Sequence, residues 1–92
     1  MTQEQCNSLL GYIADRVAAV PHFPFEATST DAPYNDPDLW RIYLTFIEVG
    51  RYTLQFIFDI VDEWNDKQGR PFAASIIIKG HSLGNRVLVE IF

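Results

Sequence analysis

Hydrophobic residues recur at steps of three and four along the first twenty positions of the chain. They are Cys6, Leu9, Leu10, Ile13, Val17 and Val20. This spacing places them on one side of an α-helix. Thr2 and Gln5 have the spacing of a capping box, and Pro21 cannot continue a helix because it has no backbone N–H to donate. The pattern therefore predicts a helix over residues 2–19.

The segment 21–38 shows no such periodicity. It contains four prolines and four acidic residues but no basic residue. This composition predicts a long loop, with one short extended piece at 23–28. Loops of this length within a compact domain are often functional, so the segment is a candidate interaction site.

Residues 39–61 are rich in β-branched and aromatic side chains, which favours strands. Gly50-Arg51 can form a two-residue turn with glycine in the first position, so we predict a hairpin over 40–60. One face of this hairpin would carry Trp40, Ile42, Leu44, Phe46 and Ile57. Left uncovered, that face would form an apolar patch of the kind that binds a partner or a second copy. The alternative is one long helix beginning at Asp36-Pro37, a favourable N-cap and N1 pair.

The last third of the chain predicts a short helix and a second hairpin. The helix spans 60–68 and ends at Gly69, and alternating residues indicate strands at 73–79 and 86–92. Ninety-two residues are enough for one domain, which we assign to 1–92. The predicted fold is α+β, with an N-terminal helix packed on an antiparallel sheet of about four strands and a short second helix between hairpins.

The second hairpin contains a motif that suggests chemistry. Gly80-His81-Ser82-Leu83-Gly84 follows an apolar run and resembles the nucleophile elbow of lipases and other α/β-hydrolases. The resemblance implies a nucleophilic Ser82 at a turn between a strand and a helix. The flanking sequence argues against that role, because 86–92 alternates as a strand does and no histidine follows Ser82. A serine hydrolase fragment is therefore the most remote functional alternative.

Composition limits the function classes. Twelve acidic and seven basic residues give a net charge of −5 and an isoelectric point of about 4.7. Binding of free DNA is not expected, because phosphate contacts require clustered Lys and Arg. Neither Cys6 nor His22 has a partner at metal-ligand spacing, so we expect no metal and no cofactor. The chain shows neither an export signal nor a membrane-spanning run, which predicts a cytoplasmic protein, in the host cytoplasm if a phage encodes it.

Two acidic stretches are candidate partner-binding sites. The first lies in the proline-rich segment, with Trp40 two residues after its end, and the second lies in the predicted short helix. Together they comprise Glu26, Asp31, Tyr34, Asp36, Asp38, Trp40, Asp62, Glu63 and Asp66. Carboxylates along such segments can bind a basic surface, and Tyr34 and Trp40 are aromatic residues of the kind enriched at interfaces.

These observations favour a small acidic binding protein that is not an enzyme and inhibits a partner by occupying its surface. The expected partner is a protein or ribonucleoprotein complex with a basic surface. A phage-type inhibitor of a nucleic-acid-binding host defence complex, as anti-CRISPR proteins are, fits the size and charge by class-level analogy. The alternative is a homo-oligomeric assembly subunit, joined as a homodimer through a sheet edge or through the face that includes Trp40 and Ile57.

Overall fold

The computed structural model describes residues 1–32, 36–47, 50–80 and 86–92. Within them the elements are α1 (Gln3–Ala18), β1 (Phe25–Asp31), β2 (Arg41–Phe46), α2 (Arg51–Gln68), β3 (Ile76–Gly80) and β4 (Val87–Ile91). The strands form one antiparallel sheet in the order β1-β2-β4-β3, so β1 and β3 are its edges. The predicted α+β fold, with an N-terminal helix, a second helix and four antiparallel strands, is confirmed.

Helix α1 begins as the sequence predicts. The backbone N–H of Gln5 donates to Thr2 Oγ1 at 3.2 Å, and the backbone N–H of Thr2 donates to Gln5 Oε1 at 2.8 Å. Both hydrogen bonds of the capping box are therefore present. Cys6, Leu9 and Ile13 are fully buried along one side of the helix.

The predicted long loop contains a strand, whose pairing register shifts once between Phe25 and Ala27. Strand β1 covers Phe25–Asp31 and pairs with β2, so the extended piece expected at 23–28 begins later and continues further. Most of its residues are exposed and polar or small, because β1 lies at the sheet edge. Its stability comes from backbone pairing with β2, and a hydrophobic pattern within β1 itself cannot predict that pairing.

The predicted hairpin over 40–60 is wrong in its second half. Residues 41–46 form strand β2, but helix α2 begins at Arg51, and Gly50 is its N-cap instead of a turn residue. The predicted short helix at 60–68 is the last half of this 18-residue helix. Ile57, Ile60 and Trp64 recur at helical spacing and are buried, so burial of this stripe outweighs the strand preference of the β-branched residues. A helix beginning at Asp36 is equally wrong, because β2 intervenes.

The face predicted to be an exposed apolar patch is largely the hydrophobic core. The side chains of Ile42, Leu44, Phe46 and Ile57 are 0% exposed, and Trp40 is half-buried against them. The buried side chains of α1, α2, β2 and β4 form one cluster on one face of the sheet. The opposite face, which we call the open face, has no helix or strand packed on it among the described residues.

The two strands of the second predicted hairpin are present as β3 and β4, which pair from Ile76↔Ile91 to Gly80↔Val87. Strand β3 begins three residues later than the predicted 73–79 and includes Gly80, and the predicted turn at 81–85 lies outside the described residues. Gly69 ends α2 with a φ of 74°, a left-handed conformation that glycine adopts without the strain of a Cβ atom. The Asn65 side chain then fixes the connection to β3 by donating to the Ala73 carbonyl and accepting from the Ala73 N–H. In the described parts of the chain, neither helix has the length and hydropathy needed to span a bilayer.

Candidate functional site

The basic side chains of this protein interact with its own residues. Arg86 pairs with Glu26 at 2.9 Å, Lys79 pairs with Glu90 at 3.0 Å, and Arg16 pairs with Glu63. Arg41 lies 3.9 Å from the Glu90 carboxylate and 4.7 Å from the centre of the Phe92 ring. The other three cations lie over aromatic rings, as Arg51 over Tyr52, Lys67 over Tyr12 and Arg70 over Phe72. All seven Lys and Arg residues therefore have an intramolecular partner.

Glu90 is the centre of the largest of these charge clusters. It lies on β4 between Tyr43 of β2 and Ile77 of β3, and only 7% of it is exposed although it is on the open face. A carboxylate removed from water in this way needs compensating charges, which Lys79 and Arg41 supply from the two neighbouring strands. The alternation in 86–92 does not predict that Glu90 forms ion pairs, because its partners Arg41 and Lys79 come from other strands.

The predicted acidic residues of α2 divide into two groups. Glu63 is half-buried, accepts a hydrogen bond from the Tyr12 hydroxyl at 2.9 Å and pairs with Arg16, so it joins the two helices. Asp62 and Asp66 are exposed, and Asp59 lies on the same side of the helix. We call Asp59, Asp62 and Asp66 the acidic ridge of α2. No ion pair within the described residues involves the ridge.

The acidic residues from the end of β1 to the start of β2 are also exposed, but each forms a local contact. Asp36 Oδ1 accepts from the Asp38 backbone N–H at 2.9 Å, and Asp31 Oδ1 accepts from the Ala32 backbone N–H at 2.7 Å. The Asp38 carbonyl accepts from the amino group of Met1 at 3.0 Å. These contacts stabilise the local backbone. The carboxylates of Asp31, Asp36 and Asp38 form no ion pair among the described residues.

The structure does not gather all the predicted site residues. Glu26 lies on β1 in its ion pair with Arg86, Trp40 packs partly against the core, and Tyr34 lies outside the described residues. Asp38 and Phe72, which follows α2, line the same small cavity. The β1–β2 connection and the C-terminal end of α2 therefore lie at the same end of the sheet.

A groove that the sequence analysis missed lies between α1 and the edge strand β1. Its cavity of about 550 Å³ is lined mainly by apolar side chains of α1 and of the segment after it, with Thr28 contributed by β1. The lining includes Leu10, Ile13, Ala14, Val17, Phe23 and Thr28. Leu10 and Val17 were assigned to the apolar stripe of α1, but they are only half-buried because they face this groove.

The described residues offer few groups for catalysis. Cys6 is buried, and burial raises the pKa of its thiol above the ordinary value, which disfavours the reactive thiolate. No cluster of three or more His, Cys, Asp or Glu side chains suited to a metal ion is found in the ranges described above. Ser82 and His81 of the elbow-like motif lie outside those ranges. The next element is strand β4, where an elbow would have a helix.

Comparison with protein-family models, curated proteins and solved structures finds no match for this chain.

Proposed function

We propose that this protein is a small non-catalytic binding protein that inhibits a partner by covering a basic surface of that partner. The supporting observation is that four of the seven cations pair with the protein's own carboxylates and the other three lie over aromatic rings, whereas most carboxylates of the described residues form no ion pair. The carboxylates without an ion pair among the described residues are Glu4, Asp15, Asp31, Asp36, Asp38, Asp59, Asp62 and Asp66. A basic partner could approach them without displacing an internal cation, and their field would accelerate the encounter.

The acidic ridge of α2 is the best docking element for this role. Asp59, Asp62 and Asp66 span about 10 Å along the axis of a helix whose opposite side is anchored in the core. Binding therefore costs little conformational entropy, whereas a loop would have to become ordered. A nucleic-acid-binding complex is the favoured partner class, because its phosphate-binding groove presents clustered Lys and Arg.

The test begins with capture of partners from a bacterial lysate by tagged protein, with and without nuclease, read by mass spectrometry. The affinity of the captured complex is then measured for a variant with Asp59→Lys, Asp62→Lys and Asp66→Lys together. We expect at least a tenfold loss, which corresponds to about 1.4 kcal/mol, and a steeper salt dependence for the unmodified protein. A second variant reverses Asp31, Asp36 and Asp38 to lysine and tests the β1–β2 connection separately.

The control variant carries Glu4→Lys and Asp15→Lys, and both residues are exposed on α1, a different helix from the ridge. Each reversal changes the net charge by two, so a loss of affinity that merely follows the number of reversed charges in the control and ridge variants would indicate only non-specific attraction. Unchanged affinity in both the ridge and the connection variants, or capture of the tagged protein alone, would refute the proposal.

A second candidate function is a homo-oligomeric assembly subunit, and the edge strand β3 favours it. Ile77 is 39% exposed and Ile78 is 44% exposed, on opposite faces of a strand whose outer side pairs with no other described strand. Exposed β-branched residues at a sheet edge favour pairing with another chain. Light scattering after gel filtration separates the two functions, because a monomer at tens of micromolar excludes the subunit and a dimer dissociated by Ile77→Lys supports it.

A further inference from the structure

The groove beside α1 adjoins a strand edge with free hydrogen-bonding capacity. The direction of the backbone groups in β1 follows from the sheet register. Ser75 and Phe92 exchange both backbone hydrogen bonds, at 2.7 and 2.9 Å, so the N–H and C=O of Phe92 point towards β3. Backbone groups of successive residues in an antiparallel sheet point alternately to the two sides. Those of Ile91 therefore point towards β2, where Ile91 is opposite Ile42.

The alternation of backbone hydrogen-bonding groups also determines their direction in β2 and β1. Because Ile42 bonds to β4, the backbone groups of Tyr43 point towards β1, where Tyr43 is opposite Ser29. The N–H and C=O groups of Thr28 and Thr30, on either side of Ser29, then point outward from the sheet edge. The backbone N–H of Ile47 donates to the Pro24 carbonyl. This agrees with the deduced direction, because Ile47 lies four residues after Tyr43 and its backbone groups therefore point to the same side.

The side chains of Thr28 and Thr30 lie on the helix-covered face of the sheet. They are opposite Leu44 and Ile42, which are buried in the core, and side chains of directly opposed residues share a face. Thr28 also lines the groove beside α1. Both residues with outward backbone groups therefore have their side chains on the helix-covered face, and one of them, Thr28, lines the groove itself.

We infer that the groove and the edge of β1 together bind an extended peptide segment of a protein partner. The segment would add to the sheet as a fifth strand and bond to the backbone of Thr28 and Thr30. Its residue opposite Thr28 would direct its side chain into the cavity, where Leu10, Ile13 and Val17 favour an apolar group. Alternate residues of the segment would point to the open face of the sheet.

The charges beside the groove specify the segment further. Glu26 and Asp31 lie near the two ends of β1, but Glu26 is neutralised by Arg86, whereas Asp31 has no ion pair among the described residues. Asp31 therefore favours Lys or Arg at its end of the peptide, next to the apolar positions. It also disfavours pairing of β1 with a second copy of the same strand, since charged residues at an edge oppose self-association. This binding mode is independent of the acidic ridge of α2 and goes beyond the function proposed above.

The probe is a blocked heptapeptide, Lys-Thr-Leu-Thr-Val-Thr-Lys, titrated into the isotope-labelled protein and followed by amide chemical shifts. We expect shifts at Thr28 and Thr30 and at the α1 residues of the groove, with slower amide hydrogen exchange at the two threonines. A control peptide with serine in place of leucine and valine should bind about tenfold more weakly or not at all, because it leaves the apolar cavity unfilled.

Two variants test the two parts of the inference. Thr28→Pro removes an outward N–H without removing a hydrogen bond to β2, so the fold should persist while peptide affinity falls about tenfold or more. Its matched control is Ile78→Pro on β3, whose N–H points outward by the same alternation. Ala14→Trp fills the groove from the exposed side of α1, and Asn7→Trp places the same side chain on α1 outside the groove.

The inference holds if Thr28→Pro and Ala14→Trp weaken binding while Ile78→Pro and Asn7→Trp do not. Binding that responds to Ala14→Trp but not to Thr28→Pro would identify an apolar ligand pocket and overturn strand addition. Shifts confined to β3, or no binding at millimolar peptide, would overturn it as well. Because the ridge variants leave β1 unchanged, failure here is distinguishable from failure of the proposed acidic docking face.

Discussion

Replacing Glu90 by glutamine tests the charge cluster on the open face of the sheet. Glutamine keeps the shape of the side chain but removes the charge that Lys79 and Arg41 neutralise. The two cations then lose their common partner while the rest of the sheet is unchanged. We therefore expect Glu90→Gln to lower the free energy of unfolding.

The magnitude follows from how well water can reach the three charges. Removing one partner of a fully buried ion pair costs about 3–5 kcal/mol, whereas an exposed pair contributes about 0–1 kcal/mol. The Glu90 side chain is 9% exposed, but those of Lys79 and Arg41 are 55% and 31% exposed, so both cations regain water when the carboxylate is removed. The expected loss is intermediate, at about 1–2 kcal/mol.

Urea denaturation followed by tryptophan fluorescence measures this loss. With a slope of about 1 kcal/mol/M for a small protein, the unfolding midpoint should fall by about 1–2 M. Glu90→Leu also removes the partner of Lys79 and Arg41, but it should lose less stability than Glu90→Gln because Tyr43, Ile77 and Leu88 can pack against an apolar side chain. Glu26→Gln is the matched control, since both members of its pair with Arg86 are well exposed and the midpoint should scarcely move.

Two results would refute this reasoning. A midpoint for Glu90→Gln within about 0.2 M of the unmodified protein would show that the cluster contributes no net stability. A loss for Glu90→Leu as large as that for Glu90→Gln would show that apolar packing at this position does not offset the lost ion pairs.

Three further predictions concern the core, the backbone and the thiol. Ser8→Ala removes the acceptor of the buried Trp64 indole N–H, which lies 3.1 Å from Ser8 Oγ, and should cost about 1 kcal/mol in urea denaturation. His22 has a φ of 58°, so His22→Gly should raise the melting temperature slightly, whereas His22→Val should lower it by more, because a β-branched residue is strained there. Burial raises the pKa of the Cys6 thiol, so above its ordinary pKa the unfolded chain releases a proton that the folded protein keeps. Stability should therefore fall as pH rises through that range, and Cys6→Ala should abolish this part of the alkaline loss in denaturation series at increasing pH.

The elements that the sequence predicted well are those whose determinants are local. The capping box at Thr2 and the terminating Gly69 are short-range signals, and the structure confirms both. Strand β1 could not be recognised in this way, because its stability depends on pairing with β2 across a connection that contains Asp36 and Asp38. Residues 51–60 are helical although their β-branched content favours a strand, because the helical spacing of Ile57, Ile60 and Trp64 lets this stripe be buried in the core.

The candidate site was likewise predictable only where it depends on local sequence. Asp62 and Asp66 are exposed, as a charged stretch on a helix predicts, but Glu63 turns towards Tyr12 and Arg16 of α1. Its role depends on how the two helices pack, which residue spacing within one helix does not reveal. The groove beside α1 was missed for a related reason, since it exists only because edge strand β1 lies next to the half-buried side of α1.

The strand order β1-β2-β4-β3 has a consequence for how the chain reaches its folded state. Each hairpin, β1 with β2 and β3 with β4, closes over a short segment, but the central β2–β4 ladder joins Ile42 to Ile91, about fifty positions apart. Val89 and Ile91 complete the core, so the apolar sides of α1 and α2 stay without their full cover until β4 is in place. During synthesis from the amino terminus, these two helices would therefore expose their apolar sides until nearly the whole described chain has emerged from the ribosome.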